Sequence, residues 1–163
     1  MSDINSLADA LDMIAKITAI TNTKEKGSEL IHTIKTGFDN FLVTNNIRTA
    51  YFIWRKPYMA VGSDTFIHEI MRRASFRNVF APLSRYSVIT PEMLQAANPQ
   101  LILLSSEPYP FREKHLAEIK QWCTEAIIKL VDGEMFSWYG SRLQYTPAYL
   151  RNLQQKVLSE IRN

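Results

Sequence analysis

Residues 90–111 read TPEMLQAANPQLILLSSEPYPF, and the order of signals in that stretch decides the architecture. Thr90-Pro91-Glu92 is a helix start: threonine can cap, and proline at the first helical position loses no donor that the helix needs. The helix predicted from there ends near Asn98-Pro99. Leu101-Ile102-Leu103-Leu104 follows at once, apolar on both faces, which suits a strand held between two layers. A proline-rich loop, Ser105 to Phe111, then leads to a helical stretch from Arg112 to Gln121. Helix, doubly apolar strand, loop, helix is the unit of a parallel sheet covered on both faces.

The same alternation extends outward. Upstream, Ala50-Tyr51-Phe52-Ile53-Trp54 is short, aromatic and β-branched and stops at a Lys-Pro turn, so it reads as a buried strand. Asp64 is the expected cap of a helix to about Ala74, with Phe66, Ile67, Ile70 and Met71 inward, and Asn78 to Ala81 a short strand. Downstream, Ala126 to Val131 is a strand interrupted by Lys129, and Thr146-Pro147 opens a terminal helix to about Ile161. The first 45 residues differ. Ser6 and Asp9 form an acidic capping box before Leu7, Leu11, Ile14 and Ile17 at helical spacing, predicting a helix over 6–21. A second helical pattern, Leu30 to Leu42, runs to about 44 and stops at Asn45-Asn46. The expected fold is an α/β three-layer sandwich with a mostly parallel, Rossmann-like sheet, preceded by a long helical segment. Its parts are 1–46 and 47–163.

At 163 residues the chain has room for one domain of ordinary size. Hydrophobic residues at 46% and charged residues at 21% exclude disorder. Cys123 stands alone, which excludes an internal disulfide, a four-cysteine zinc site and a CxxC pair. The net charge of +3 is spread along the chain without a like-charge run, giving a nucleic-acid partner little support. The longest apolar stretches fall far short of the roughly 18 residues that span a bilayer. Met1 to Asn5 lacks the basic start and apolar block of a secretory signal, so the chain as written is expected to stay where it is made.

In open parallel sheets, ligands collect beyond the carboxyl ends of the strands. Four loops qualify: 55–63, about 82–89, 105–111 and 132–145. Tyr58, Tyr109, Phe111, Phe136, Trp138 and Tyr139 fall in them, where they either line a pocket for a large planar ligand or cover the end of the core. Enzyme readings fail on absent residues. There is no GxGxxG after the first strand and no GxxxxGK[ST]. His68-Glu69 begins an HExxH pattern, but the fifth position is Arg72. His32, His68 and His115 lie on three separate predicted helices, which suits half-buried or surface histidines better than metal ligands. Cys123 reads as a core filler. Arg55, Lys56 and Arg142 either recognise carboxylate or phosphate groups or are simply solvated. Glu107 is open to three readings: ligand contact, surface docking charge or helix N-terminal anion.

Three segments, YFIWRKPYM (51–59), ANPQLILLSSEPYPF (97–111) and VDGEMFSWYGSRL (131–143), resemble the C-terminal lobe of the helical-backbone metal receptors. These are the substrate-binding proteins of ABC importers for cobalamin, haem and ferric siderophores, and the cobalamin-binding branch is the most similar. The resemblance implies a receptor of two α/β lobes joined by one long helix, with the ligand between them and no chemistry done on it. The helix at 6–21 or 23–44 matches the connector, and the family's N-terminal lobe, of roughly domain size, would precede residue 1 together with any export signal. The chain then reads as a lobe cut from a longer receptor or a truncated reading frame. Tyr58, Tyr109, Trp138, Tyr139 and Arg142 are the expected ligand-binding residues, and Glu107 the expected permease-docking residue, with Glu113 and Glu118 close by. The resemblance implies no resident cofactor or metal, a cobalamin, haem or ferric-siderophore ligand, ABC permease subunits as partners and no membrane insertion. The parent would be periplasmic or lipid-anchored. If a micromolar receptor, at roughly −8 kcal/mol, shares its binding equally between lobes, one lobe alone binds near the millimolar level. The alternative is an interaction module that dimerises through the exposed inter-lobe face; an enzyme ranks last.

Overall fold

A computed structural model describes residues 4–39, 41 and 46–162. It begins with an antiparallel helix pair, α1 (Leu7–Ile20) and α2 (Lys24–Asp39). The capping box is present: Ser6 Oγ accepts from the Asp9 N–H at 3.1 Å, and Asp9 Oδ2 accepts from the Ser6 N–H at 3.0 Å. Asn22, at φ 56°, takes the left-handed conformation that turns the chain between the helices. The helices cross closely at Gly27, where a Cβ would lie 2.3 Å from Thr18 Oγ1. The expected end of α2, at Leu42 to Asn45, lies outside the described residues.

Next come β1 (Ile47–Trp54), β2 (Met59–Val61), α3 (Phe66–Arg73), β3 (Phe76–Asn78), β4 (Tyr86–Val88) and α4 (Pro91–Ala97). They are followed by β5 (Leu101–Ser105), α5 (Glu113–Lys120), β6 (Ile127–Val131), α6 (Glu134–Ser137), a 3-10 turn (Ser141–Gln144) and α7 (Thr146–Ile161). Among the described residues the sheet has six strands, with β1 at its centre. On one edge β1 pairs parallel with β5, Thr49 opposite Leu101, and β5 pairs parallel with β6. On the other edge its first half pairs parallel with β3, Ile47 opposite Phe76, and its second half antiparallel with β2. β4 continues antiparallel beyond β2.

The doubly apolar strands face two cores. Tyr51, Ile53, Leu101 and Leu103 join Ile14 of α1, Ile34 of α2, Ile70 of α3 and Leu150 of α7. Ala50, Phe52, Ile102 and Leu104 point the other way, onto Leu94 of α4 and Ile119 of α5. This is the three-layer sandwich with a mostly parallel sheet. Residues on both sides of position 46 share the first of the two cores, so α1 and α2 are packed onto the sheet.

Local departures from expectation have simple causes. β2 and β4 are three-residue strands whose pairing is tertiary, and the loops expected at 55–63 and 82–89 contain them. The short strand sits at 76–78, not 78–81. The cap of α3 is Thr65, whose Oγ1 accepts from the His68 N–H; Asp64 instead accepts from the Arg85 N–H. Thr146 does not cap α7: its hydroxyl donates to the Met135 carbonyl at 3.1 Å. Among the described residues no helix is long and apolar enough to cross a membrane.

Candidate functional site

Because β1, β5 and β6 run parallel, their carboxyl ends, at Trp54, Ser105 and Val131, share one rim of the sheet. The loops after them meet there. The 132–145 segment is anchored by Phe136, fully buried with its ring 4.9 Å from that of Tyr51. Anchoring Phe136 inward turns the next residues outward: Trp138 is 50% and Tyr139 40% exposed. With Ser137, Gly140 and Met13 from α1 they line a concavity of about 440 Å³.

Both rings are held. Tyr139 stands edge-on to Phe66 at 5.7 Å. The Trp138 indole N–H donates to Glu107 Oε1 at 3.0 Å, and the Arg142 guanidinium carbon lies 5.9 Å from its ring centre. Glu107 Oε1 also accepts from the Ser137 hydroxyl at 3.0 Å. Behind this contact Ser105 Oγ donates to the Glu107 carbonyl at 2.5 Å and accepts from the fully buried Tyr51 hydroxyl at 3.2 Å. Burial raises the Tyr51 phenol far above its ordinary value, the Ser105 hydrogen bond opposing the shift only in part. The strand-end loops touch at Gly133, where a Cβ would lie 2.3 Å from Ser105 Oγ and 2.6 Å from Glu107 Cγ. Only glycine permits that approach. Arg142 ion-pairs with Glu134 at 2.6 Å and with Asp132 at 3.4 Å, so its guanidinium is directed to its own loop.

A second aromatic group occupies the α5 side of the rim. Trp54, 40% exposed, meets Tyr109 edge-on at 5.8 Å, and Tyr109 in turn packs on Phe111 and His115. His115 Nδ1 accepts the Arg112 N–H at 2.9 Å at the start of α5, which leaves Nε2 to carry the proton of the neutral ring. Burial, then the nearby Arg55 charge, pushes His115 below its ordinary value. Arg55 is paired with Glu118 at 2.8 Å and donates to the Tyr58 hydroxyl at 3.2 Å.

Tyr58 is a correction. Its ring is 7% exposed, enclosed by Phe52, Phe111 and Trp122 in the core beneath α4 and α5, and burial pushes its phenol up to about 12. The turn after β1 carries its ring into this core and not onto the rim. Trp138, Tyr139, Arg142 and Glu107 are brought together, and Tyr109 stands with Trp54 on the other side. Glu107 is half-buried and turned toward Trp138 and Ser137, whereas Glu113 is exposed at the first turn of α5. Two further residues, Trp54 and Met13, reach the rim. Trp54 carried a signal, being the last residue of a parallel strand. Met13 is offset from the inward stripe of Leu7, Leu11 and Ile14 on α1. Among the described residues no group of three or more His, Cys, Asp or Glu is placed to hold a metal.

No protein-family model and no curated protein matches the sequence. Solved structures match it closely in fold. The periplasmic heme-binding protein RhuT of Roseiflexus sp. RS-1 aligns over 96% of this chain and 65% of its own with a TM-score of 0.79, at 17% identity. The chain has the fold of a periplasmic binding-protein lobe. A possible iron-binding, periplasmic solute-binding protein of Staphylococcus epidermidis aligns over 95% of this chain and 64% of its own, TM-score 0.75, 18% identical. The periplasmic vitamin B12 binding protein BtuF of Vibrio cholerae aligns over 96% and 64%, TM-score 0.72, 14% identical. The chain spans just under two thirds of the length of each.

Proposed function

We propose that the chain is the C-terminal lobe of an ABC-importer solute receptor and binds a bulky metal chelate (corrinoid, haem or ferric siderophore) without transforming it. One observation carries the reading: Trp138 and Tyr139 are half-exposed yet fixed, by Glu107 and by Phe66, at the strand-end rim of a sheet with the periplasmic binding-protein fold. Rigid rings over a concavity offer a large apolar surface at little ordering cost. Trp54 and Tyr109 extend that surface toward α5. The permease-docking carboxylate in this reading is Glu113 rather than Glu107, which already serves the rim. The parent acts outside the cytoplasmic membrane.

The test is a fluorescence titration of the chain with cyanocobalamin, hemin and a ferric hydroxamate. Saturable quenching by at least one, weakened at least about tenfold in Trp138→Ala by loss of a central aromatic contact, supports the reading. Absence of saturable quenching by all three refutes it. The alternative, a surface that pairs with a second copy, is favoured by Ile17 and Ile20, 50% and 81% exposed on α1 beside Met13. Sedimentation at micromolar concentration decides it: a dimer dissolved by Ile20→Glu supports it, and a monomer removes it.

A further inference from the structure

The charges that border the aromatic concavity point to the kind of ligand it takes. Beside Trp138, Glu107 accepts the indole N–H and the Arg142 guanidinium lies over the ring, with Asp132 and Glu134 paired to Arg142, so three carboxylates stand against one guanidinium. Arg142 is paired with two of the three, so its single positive charge is already matched by theirs. On the α1 side of the concavity, Asp12 and Lys16, next to Met13, pair with each other at 2.5 Å. The exposed cations Lys56, Arg112 and Lys114 belong instead to the turn after β1 and the start of α5, on the side of Trp54 and Tyr109. The chain as a whole carries +3, so long-range attraction would favour an anion anywhere on its surface. The concavity departs from that background.

Resting on the reading above, we infer that the Trp138–Tyr139 concavity selects uncharged or cationic ring chelates and disfavours polycarboxylate or polysulfonate ones. A guest with acidic groups on its edge would meet that excess of carboxylates beside Trp138, where the Arg142 charge is already paired. A neutral macrocycle with amide edges, or a cationic one, meets ring faces and hydrogen-bond acceptors. The specificity lies in unmatched negative charge as much as in attraction.

Two porphyrins of the same size separate charge from shape: the tetracationic tetrakis(N-methylpyridinium) ring and the tetraanionic tetrakis(sulfonatophenyl) ring. Each is titrated into the chain at low ionic strength and again at about 0.15 M salt, following the Soret band. The cationic ring should bind at least about fivefold more tightly, the upper end for one exposed ion pair, and the gap should narrow with salt. Glu134→Gln should shrink the gap and Arg142→Gln should widen it, opposite signs that a general loss of folding cannot produce. An anionic ring that binds as tightly or more tightly overturns the inference and moves recognition to the Lys56–Arg112–Lys114 side, leaving chelate binding intact. If neither ring nor any chelate of the earlier titration binds saturably, the functional reading falls with it.

Discussion

Replacing Gly133 by alanine puts a methyl group where two strand-end loops already touch. The backbone there is helical, at φ −62° and ψ −32°, so alanine is locally allowed and its lower unfolded-state entropy would favour the folded chain by about 0.4–1 kcal/mol. The surroundings decide the sign. The new carbon would lie 2.3 Å from Ser105 Oγ and 2.6 Å from Glu107 Cγ, where ordinary contact begins at 3.4 Å. Ser105 is buried and joined to Tyr51 and to the Glu107 carbonyl, so it cannot swing away without breaking those bonds. Overpacking costs about 1–3 kcal/mol and a lost hydrogen bond about 1 kcal/mol more. After the entropic gain, a net loss of about 1–3.5 kcal/mol is expected, which lowers Tm by about 2–14 °C in a domain of this size. Thermal unfolding by circular dichroism, with urea unfolding as a second measure, reads it. Gly140→Ala is the matched control: nothing lies within 4 Å of its Cβ, and a change within about 0.5 kcal/mol is expected. Gly133→Ala as stable as Gly140→Ala would refute the close approach of the loops and with it the bracing of Trp138.

Three further outcomes follow from the same geometry. Tyr51 keeps its phenolic proton in the folded state well above the pH, near 10, at which the unfolded chain loses it; the unfolded state then binds fewer protons, so stability falls as pH rises through that region. Tyr51→Phe should flatten the fall in urea midpoint between about pH 10 and 11, and an unchanged slope would contradict the burial. His115 is held below its ordinary value by burial, so its share of stability is present above about pH 6.5 and is lost as pH falls through its folded value. His115→Gln should reduce the loss of stability between about pH 7.5 and 5, and an equal loss in both proteins would place that proton uptake elsewhere. Arg142→Gln removes two part-exposed ion pairs and should change stability by less than about 1 kcal/mol, while shifting the Trp138 emission maximum; a larger destabilisation would make Arg142 a structural brace.

The layers of the fold were legible because Leu101 to Leu104 and Ala50 to Trp54 are apolar on both faces, a pattern that needs two covering layers. Thr90-Pro91 and Ser6–Asp9 marked helix starts through local hydrogen bonds that need no tertiary partner. β2 and β4 were not legible, since three residues carry no period and their pairing depends on neighbours brought in by the fold. The rim was legible in its largest part: the 132–145 loop concentrates Trp138, Tyr139 and Arg142, and Phe136 turns the first two outward. Tyr58 misled because a loop position says nothing about which way the loop folds. Here the ring turns into the core and joins Phe52 and Trp122. The partners of Glu107 were beyond reach too, as Ser137 and Trp138 are thirty residues or more away in the chain.

The three tryptophans supply the most direct test, because each indole N–H gives its own signal in a proton–nitrogen correlation spectrum. Trp138 stands on the concavity, Trp54 at the far side of the rim, and Trp122 against Tyr58 at 4.9 Å in the opposite core. Adding cyanocobalamin, hemin or a ferric hydroxamate should move the Trp138 signal in a saturable way and leave Trp122 in place. A chelate that moves Trp122 but not Trp138, or three chelates that move neither, would contradict a binding rim built on Trp138 and Tyr139.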